Sequence, residues 1–199
     1  QQVSSAASDV YKRQDMFIQT EITPNPNSLK FLPGKKVSNI GTIEITKKDE
    51  SNNQLVKDIL AVNGVEGILL ASDFISVNKS EEISWDEIKH IIISLINDFY
   101  SNSNDFVLDN KQNSNKVDLS EIEKNIVKIL DEKIRPAVSR DGGDIKFKSF
   151  KDGVVKVQLQ GSCSGCPSST LTLKQGVQNL LKHYIRAVSY THLRAHETH

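Results

Sequence analysis

Sulfur is scarce in this chain. Its 199 residues hold two cysteines, Cys163 and Cys166, and a single methionine, Met16. So small a cysteine count excludes a disulfide-stapled fold, and a pair three residues apart reads instead as metal-binding or redox chemistry in a reducing compartment. Long apolar runs are missing as well. Nothing approaches the roughly 20 residues that a helix needs to cross a bilayer, and the first residues lack the apolar core of a signal peptide. An excess of charge of one sign is also absent, with 25 Lys and Arg against 25 Asp and Glu. That balance leaves no electrostatic footprint for DNA or RNA. Neither nucleic acid nor a membrane is expected as a partner.

The two ends differ from the rest. Residues 1–15 show neither strand nor helix period, and residues 186–199 carry three of the five histidines. Both resemble translated adapter sequence at the edges of assembled genes, and both are expected to be non-native tails. Over 16–185, Lys and Arg number 21 against 22 Asp and Glu, a balance of about −1 that still favours no polyanion. About 170 residues suit two small domains or one medium one. Composition favours two: residues 101–118 are polar, dense in Asn and Ser, and without period, as a linker would be. The expected fold class is α+β, with small α+β domains at 16–100 and 119–185.

In the first domain, strands are expected at Phe17–Ile22 and Leu29–Leu32, around a Thr23-Pro-Asn-Pro-Asn-Ser28 turn whose prolines cannot pair centrally in a sheet. Gln54–Val62 reads as a helix, and Val65–Ala71 and Phe74–Asn78 as paired strands. Ser84 and Glu87 form a capping box before a helix whose stripe is Ile88, Ile91, Ile92, Leu95, Ile96 and Phe99. Trp85 reads as a packing residue and His90 as a surface histidine, since no other ligand stands near it at metal-binding spacing. Nothing in this domain looks catalytic.

The second domain reads as helix, hairpin, CxxC loop, helix. Ser120 and Glu123 cap a first helix that is expected to end at Arg135-Pro136. Asp141 and Asp144 flank two glycines and read as turn-forming caps rather than a hard-metal site, because further oxygen ligands are missing. Ile145–Phe150 and Val154–Gln160 form the hairpin, with Val155, Val157 and Leu159 on its buried face. The last helix is expected to bury Leu173, Val177, Leu180, Leu181 and Tyr184. Between hairpin and helix lies Gly161-Ser-Cys-Ser-Gly-Cys-Pro167. Residues i and i+3 share a face, and a helix N-terminus favours the thiolate. Two sulfurs cannot by themselves complete a tetrahedral zinc site or hold an iron–sulfur cluster, which takes four. Either the pair does redox chemistry alone, or two chains share the ligand. The loop is expected on an outer corner accessible to a second copy.

Several motifs then match a family. Arg135-Pro136, Asp141-Gly-Gly-Asp144, Gly153-Val-Val155, Gly161-Ser-Cys-Ser-Gly-Cys-Pro-Ser-Ser169 and Thr172-Leu-Lys-Gln-Gly176 resemble the C-terminal domain of NifU, the Nfu domain. Residues 17–34 are similar to the N-terminal domain of two-domain Nfu proteins. The resemblance implies an iron–sulfur cluster scaffold or carrier, not an enzyme. It further implies that Cys163 and Cys166 of two protomers jointly ligate one [4Fe–4S] cluster, a homodimer forming on binding. Upstream assembly proteins and recipient apo iron–sulfur proteins are the implied partners. Composition leans toward a bacterial cytoplasm, with the mitochondrial matrix expected if the source is eukaryotic.

Other chemistries remain for the same loop. A thiol–disulfide oxidoreductase also uses CxxC before a helix, but thioredoxin-like folds place the motif early and follow it with a cis-proline. Here no proline follows Pro167. Zinc or a [2Fe–2S] cluster could also bridge two copies through four cysteines. His183 is the one downstream histidine of 16–185 and lies too far along the last helix to act with the thiols.

Overall fold

Period-two alternation of β-branched and polar residues builds a five-stranded antiparallel sheet from β1 (Gln19–Ile22), β2 (Ser28–Leu32), β3 (Ile43–Thr46), β4 (Val65–Leu70) and β5 (Ile75–Lys79), in the order β1-β2-β5-β4-β3. The computed structural model of the chain describes residues 17–49, 51–102, 107, 119–164 and 167–194, with the side chains of 167–171 and 194 excepted. The tail at 1–15 and nearly all of the expected linker lie outside those residues.

One face of this sheet is apolar. Leu29, Phe31, Ile45, Ile68, Leu70, Ile75 and Val77 form a single buried cluster with α1 (Gln54–Ala61) and α2 (Trp85–Asn102). The α2 line of Ile88, Ile92, Ile96 and Tyr100 is fully buried at i,i+4 spacing. Ile91, expected in the stripe, is 48 % exposed instead; it lies on the helix's flank, one residue off that line. Val107 joins the same cluster, its N–H donating to the Val37 carbonyl at 2.9 Å. Asn53 caps α1, its side chain accepting from the Val56 N–H.

The other face is largely polar. One cross-strand row reads Glu21, Lys30, Ser76, Leu69 and Glu44, and the next reads Ser28, Asn78, Gly67 and Thr46. An antiparallel sheet can leave such a face to water.

The second domain has a three-stranded sheet, β6 (Gly143–Lys151), β7 (Val154–Gly161) and β8 (Tyr190–Arg194). The β6–β7 hairpin is as the alternation demands, and Val155, Val157 and Leu159 are at most 1 % exposed. Strand β8 pairs in parallel with β7. Residues 188–194, counted with the expected tail, therefore continue the fold, with Val188 and Thr191 buried. They satisfy the backbone edge of β7 that would otherwise stay open.

Helix α3 (Glu121–Ile129) starts at a complete capping box, Ser120 accepting from the Glu123 N–H and Glu123 from the Ser120 N–H. Those hydrogen bonds hold the Glu123 carboxyl below its usual range. The helix does not end at Arg135-Pro136. It widens into a π-helical turn, Leu130–Ile134, and continues as α4 (Arg135–Arg140). Proline lacks an N–H and crowds the carbonyl four residues back, and a π turn relieves both problems without breaking the rod. Helix α5 (Pro167–Tyr184) completes the domain. Val177 and Leu181 are buried, whereas Tyr184 is 55 % exposed rather than packed.

Ile92 and Ile145 are both fully buried, one in each core. Ile92→Ala and Ile145→Ala should each cost about 2–5 kcal/mol in urea unfolding followed by circular dichroism. A loss well under 1 kcal/mol in either (roughly the value for a surface site) would contradict the core assignment.

Candidate functional site

The β6–β7 ladder closes with Gly143 opposite Gly161. Gly161 has φ +65°, the left-handed turn that redirects the chain off the sheet. Two bonds reach back to its carbonyl, from the Ser164 N–H at 3.0 Å and the Ser164 Oγ at 2.8 Å. Ser162 ties the loop to the preceding turn, its N–H donating to the Gly142 carbonyl at 3.3 Å and its hydroxyl to the Asp141 carbonyl.

Cys163 follows, and its side chain lies over Gly143. A Cβ on Gly143 would fall 2.6 Å from the Cys163 Sγ and 2.8 Å from the Gln160 carbonyl. Only a residue without a side chain allows the sulfur that position. The thiol is 2 % exposed, with the Ser162 Oγ 3.8 Å away. Cys163 therefore stands at a strand's end, as expected. The accessible corner does not hold for it, because Gly143 and the loop itself enclose the sulfur. Gly165 and Cys166 lie outside the described residues, and α5 begins at Pro167.

An ion-pair network braces this turn. Arg135 Nε donates to Asp144 Oδ1 at 2.8 Å, Nη2 to the Ile145 carbonyl at 3.1 Å, and Nη1 to Asp131. The Asp144 side chain is 3 % exposed. Asp144 is thus a buried ion-pair partner, not the turn cap expected, while Asp141 is exposed and offers its carbonyl. Burial pushes the Asp131 carboxyl up against the opposing pull of Arg135. Burial also lowers the Lys146 ammonium, with Asp144 and Glu44 pulling it back up.

Three side chains of the first domain reach the loop's backbone. Asn25 Nδ2 donates to the Ser162 carbonyl at 3.0 Å, and Asn78 Nδ2 to the Gly161 carbonyl at 3.2 Å. Glu44 Oε1 accepts from the Gly161 N–H at 2.9 Å. A polar cavity of about 470 Å³ lies beside them, lined by Asn27, Lys79 and Ser164 among others. Sequence reasoning gave Asn25 to a turn and assigned Glu44 and Asn78 no role. No local pattern carries a contact spanning 83 to 137 residues.

Residues 18–104 match the family model described as "Scaffold protein Nfu/NifU N terminal", and residues 126–190 match the "NifU-like domain". The chain belongs to the Nfu/NifU family. It is 42 % identical over 187 residues to "NifU-like protein 5, mitochondrial" of Arabidopsis thaliana, covering 90 % of this chain and 68 % of that protein. It is 41 % identical over 177 residues to "NFU1 iron-sulfur cluster scaffold homolog, mitochondrial" of Homo sapiens, covering 87 % and 70 %. The homologue of that name in Drosophila persimilis is 42 % identical over 181 residues, covering 88 % and 64 %. These relatives carry mitochondrial names. They lend no support to a cytoplasmic location and agree with the matrix expected for a eukaryotic source.

Two substitutions test the geometry of the loop. Gly143→Ala should lower stability by about 1–3 kcal/mol through overpacking and raise the alkylation rate of Cys163, read by peptide mass. An unchanged rate would contradict the close packing of sulfur on Gly143. Arg135→Gln should cost about 3 kcal/mol by stranding the Asp144 carboxylate, the low end for a buried pair because Arg135 is partly solvated. A Tm equal to the parent's would show that the pair does not brace the turn.

Proposed function

We propose that this chain is an iron–sulfur cluster scaffold that holds one [4Fe–4S] cluster between two copies, through Cys163 and Cys166 of each, and passes it to apo-proteins. The observation that carries the proposal is the setting of Cys163. It stands at the end of β7 on a glycine floor, in a CxxC at the entrance of α5, in a chain with only two thiols. The human relative's name, an iron–sulfur cluster scaffold, supports the same reading.

The chemistry of the donors fits this cargo. Thiolates suit iron–sulfur clusters and zinc, and a four-iron cluster takes four of them. Each copy brings two, so a twofold-symmetric pair supplies the set with no outside ligand. Four thiolates around such a core leave a net charge of about −2, which the positive ends of two α5 helices offset. A cargo gripped only at a seam between copies has few contacts to break on release, whereas a site enclosed by one chain would retain it. Upstream assembly proteins would deliver the cluster or its parts, and recipient apo-proteins would receive it. The chain acts as a carrier and not as an enzyme. Its working parts are the first domain at 16–100, a linker at 101–118 and the cluster-binding domain at 119–185, to which residues 188–194 add β8.

Anaerobic reconstitution with iron and sulfide should give a brown protein with about two irons and two sulfides per chain, the stoichiometry of one four-iron cluster per pair. Cys163→Ser and Cys166→Ser should each abolish uptake without unfolding the chain. Colourless protein with stoichiometric zinc, or a cluster retained in both variants, would overturn the proposal. Transfer to an apo-protein should outrun loss to solvent, and equal rates would point to adventitious binding.

A further inference from the structure

The polar face of the five-stranded sheet is occupied, and its occupant is the cysteine loop. Asn25 and Asn78 donate to the carbonyls of Ser162 and Gly161, and Glu44 receives the Gly161 N–H. Leu69, in the same cross-strand row as Glu44, supplies an apolar contact. A Cβ on Gly161 would fall 2.7 Å from the Leu69 Cδ2, so the left-handed glycine also lets the two domains approach. The neighbouring Gly142 lies against Thr23 and Ser76 of that face.

We propose that this face is a reversible seat for the chain's own cysteine loop, and that loading a cluster between two copies requires the loop to leave it. The second half rests on the scaffold reading above; the first half does not.

Three observations carry the seat. Its contacts go to backbone groups, so they recognise the turn Gly161–Ser162 adopts and are lost when that turn changes. Asn25 is held ready for its contact, because its Oδ1 accepts from the Asn27 N–H at 3.0 Å and leaves Nδ2 aimed at Ser162. The face is also one that water can reclaim. Apart from Leu69, the two rows hold Glu, Lys, Ser, Asn, Thr and Gly, and the apolar part of the face is one small cluster of Leu69, Ala71 and Phe74 with Leu32, so the surface bared on release is mainly polar. The buried Asn78 Oδ1 meets no hydrogen-bond partner among the described residues, which further weakens the docked state. Covalent attachment offsets this weakness by holding the two surfaces at an effective concentration on the order of millimolar.

The docked arrangement opposes cargo binding in two ways. The docked contacts fix Gly161 and Ser162 in the turn that seats the Cys163 sulfur on Gly143 at 2 % exposure, and a sulfur so enclosed cannot be shared with a second chain. Glu44 also places a carboxylate on the amide two residues before Cys163, where an anionic cluster would meet like charge. Loading therefore favours release, and docking favours the empty state.

The test uses the full chain, reduced and free of metal. Nitrogen-15 relaxation should give one tumbling time for amides of both domains in the parent, and two shorter times in Asn25→Ala/Glu44→Ala/Asn78→Ala. Alkylation of Cys163 by iodoacetamide, located by peptide mass, should be at least about tenfold faster in that variant, the factor for a loss of about 1.4 kcal/mol of protection. Glu44→Lys alone, which turns an acceptor into a cation facing Lys146, should move both readings the same way if the triple variant folds poorly. Two separate tumbling times in the metal-free parent would overturn the seat. So would an unchanged Cys163 rate in a variant whose domains have separated. Iron and sulfide uptake should be faster in the triple variant than in the parent, and an equal rate would overturn the requirement for release. A parent that takes up no iron at all would overturn the scaffold reading, leaving the seat to be judged by the first two measurements.

Discussion

The absence of a side chain at Gly143 is the constraint on which the rest of the loop depends. The Cys163 sulfur occupies the place a Cβ would fill, and it can do so only while Gly143 stays opposite Gly161 at the end of the β6–β7 ladder. A slip of one residue would bring Gly142 or Asp144 beneath the sulfur and turn every side chain of β6 to the wrong face. The Arg135 fork guards against that slip. It holds the Asp144 carboxylate and the Ile145 carbonyl together, so α4 fixes the first residues of β6 in place. Even the π-helical turn serves this end, since it carries the helix past Pro136 and keeps α3 and α4 one continuous support.

The two sheets divide the work by what their second faces contain. In the first domain, apolar residues on one face meet α1 and α2, and the other face alternates into polar rows. Such a domain folds around its helices and has a surface left for something else. In the second, the apolar side of the hairpin packs on α3, α4 and α5, so its stability comes from Ile126, Leu130, Val157, Leu159 and Leu181. Cys163, 2 % exposed, belongs to that second cluster. The backbone contacts from Asn25, Glu44 and Asn78 link the two units, and they do so through hydrogen bonds rather than a shared core.

Much of this was legible in the residues, for local reasons. Helices with a clear 3.6 period, the β6–β7 hairpin and the strand-loop-helix setting of the CxxC all follow from spacing that the folded chain preserves. The losses are just as local. Strand β3 offers only Ile43 and Ile45 around Glu44, too short an alternation to stand out, and its pairing with β4 bridges more than twenty residues. Ile91 and Tyr184 fit their stripes by number but lie at the flanks, where a degree of helical rotation decides burial. Pro136 read as a stop because proline usually ends a helix, and the π turn is the exception. The role of Asp144 was hidden because its partner, Arg135, was read as the end of the preceding helix. The seat on the first domain was out of reach of any window, since its hydrogen bonds join residues far apart along the chain. For Cys166, spacing and motif alone support the assignment.

Central to this protein's proposed chemistry is the sharing of one cluster by two copies of a chain that brings two sulfurs each. Native mass spectrometry of the anaerobically loaded protein tests this most directly, because mass counts chains and inorganic atoms together. The expected species is a dimer heavier than two polypeptides by four irons and four sulfides, with the metal-free protein lighter and monomeric. A monomer that holds the iron by itself would contradict it.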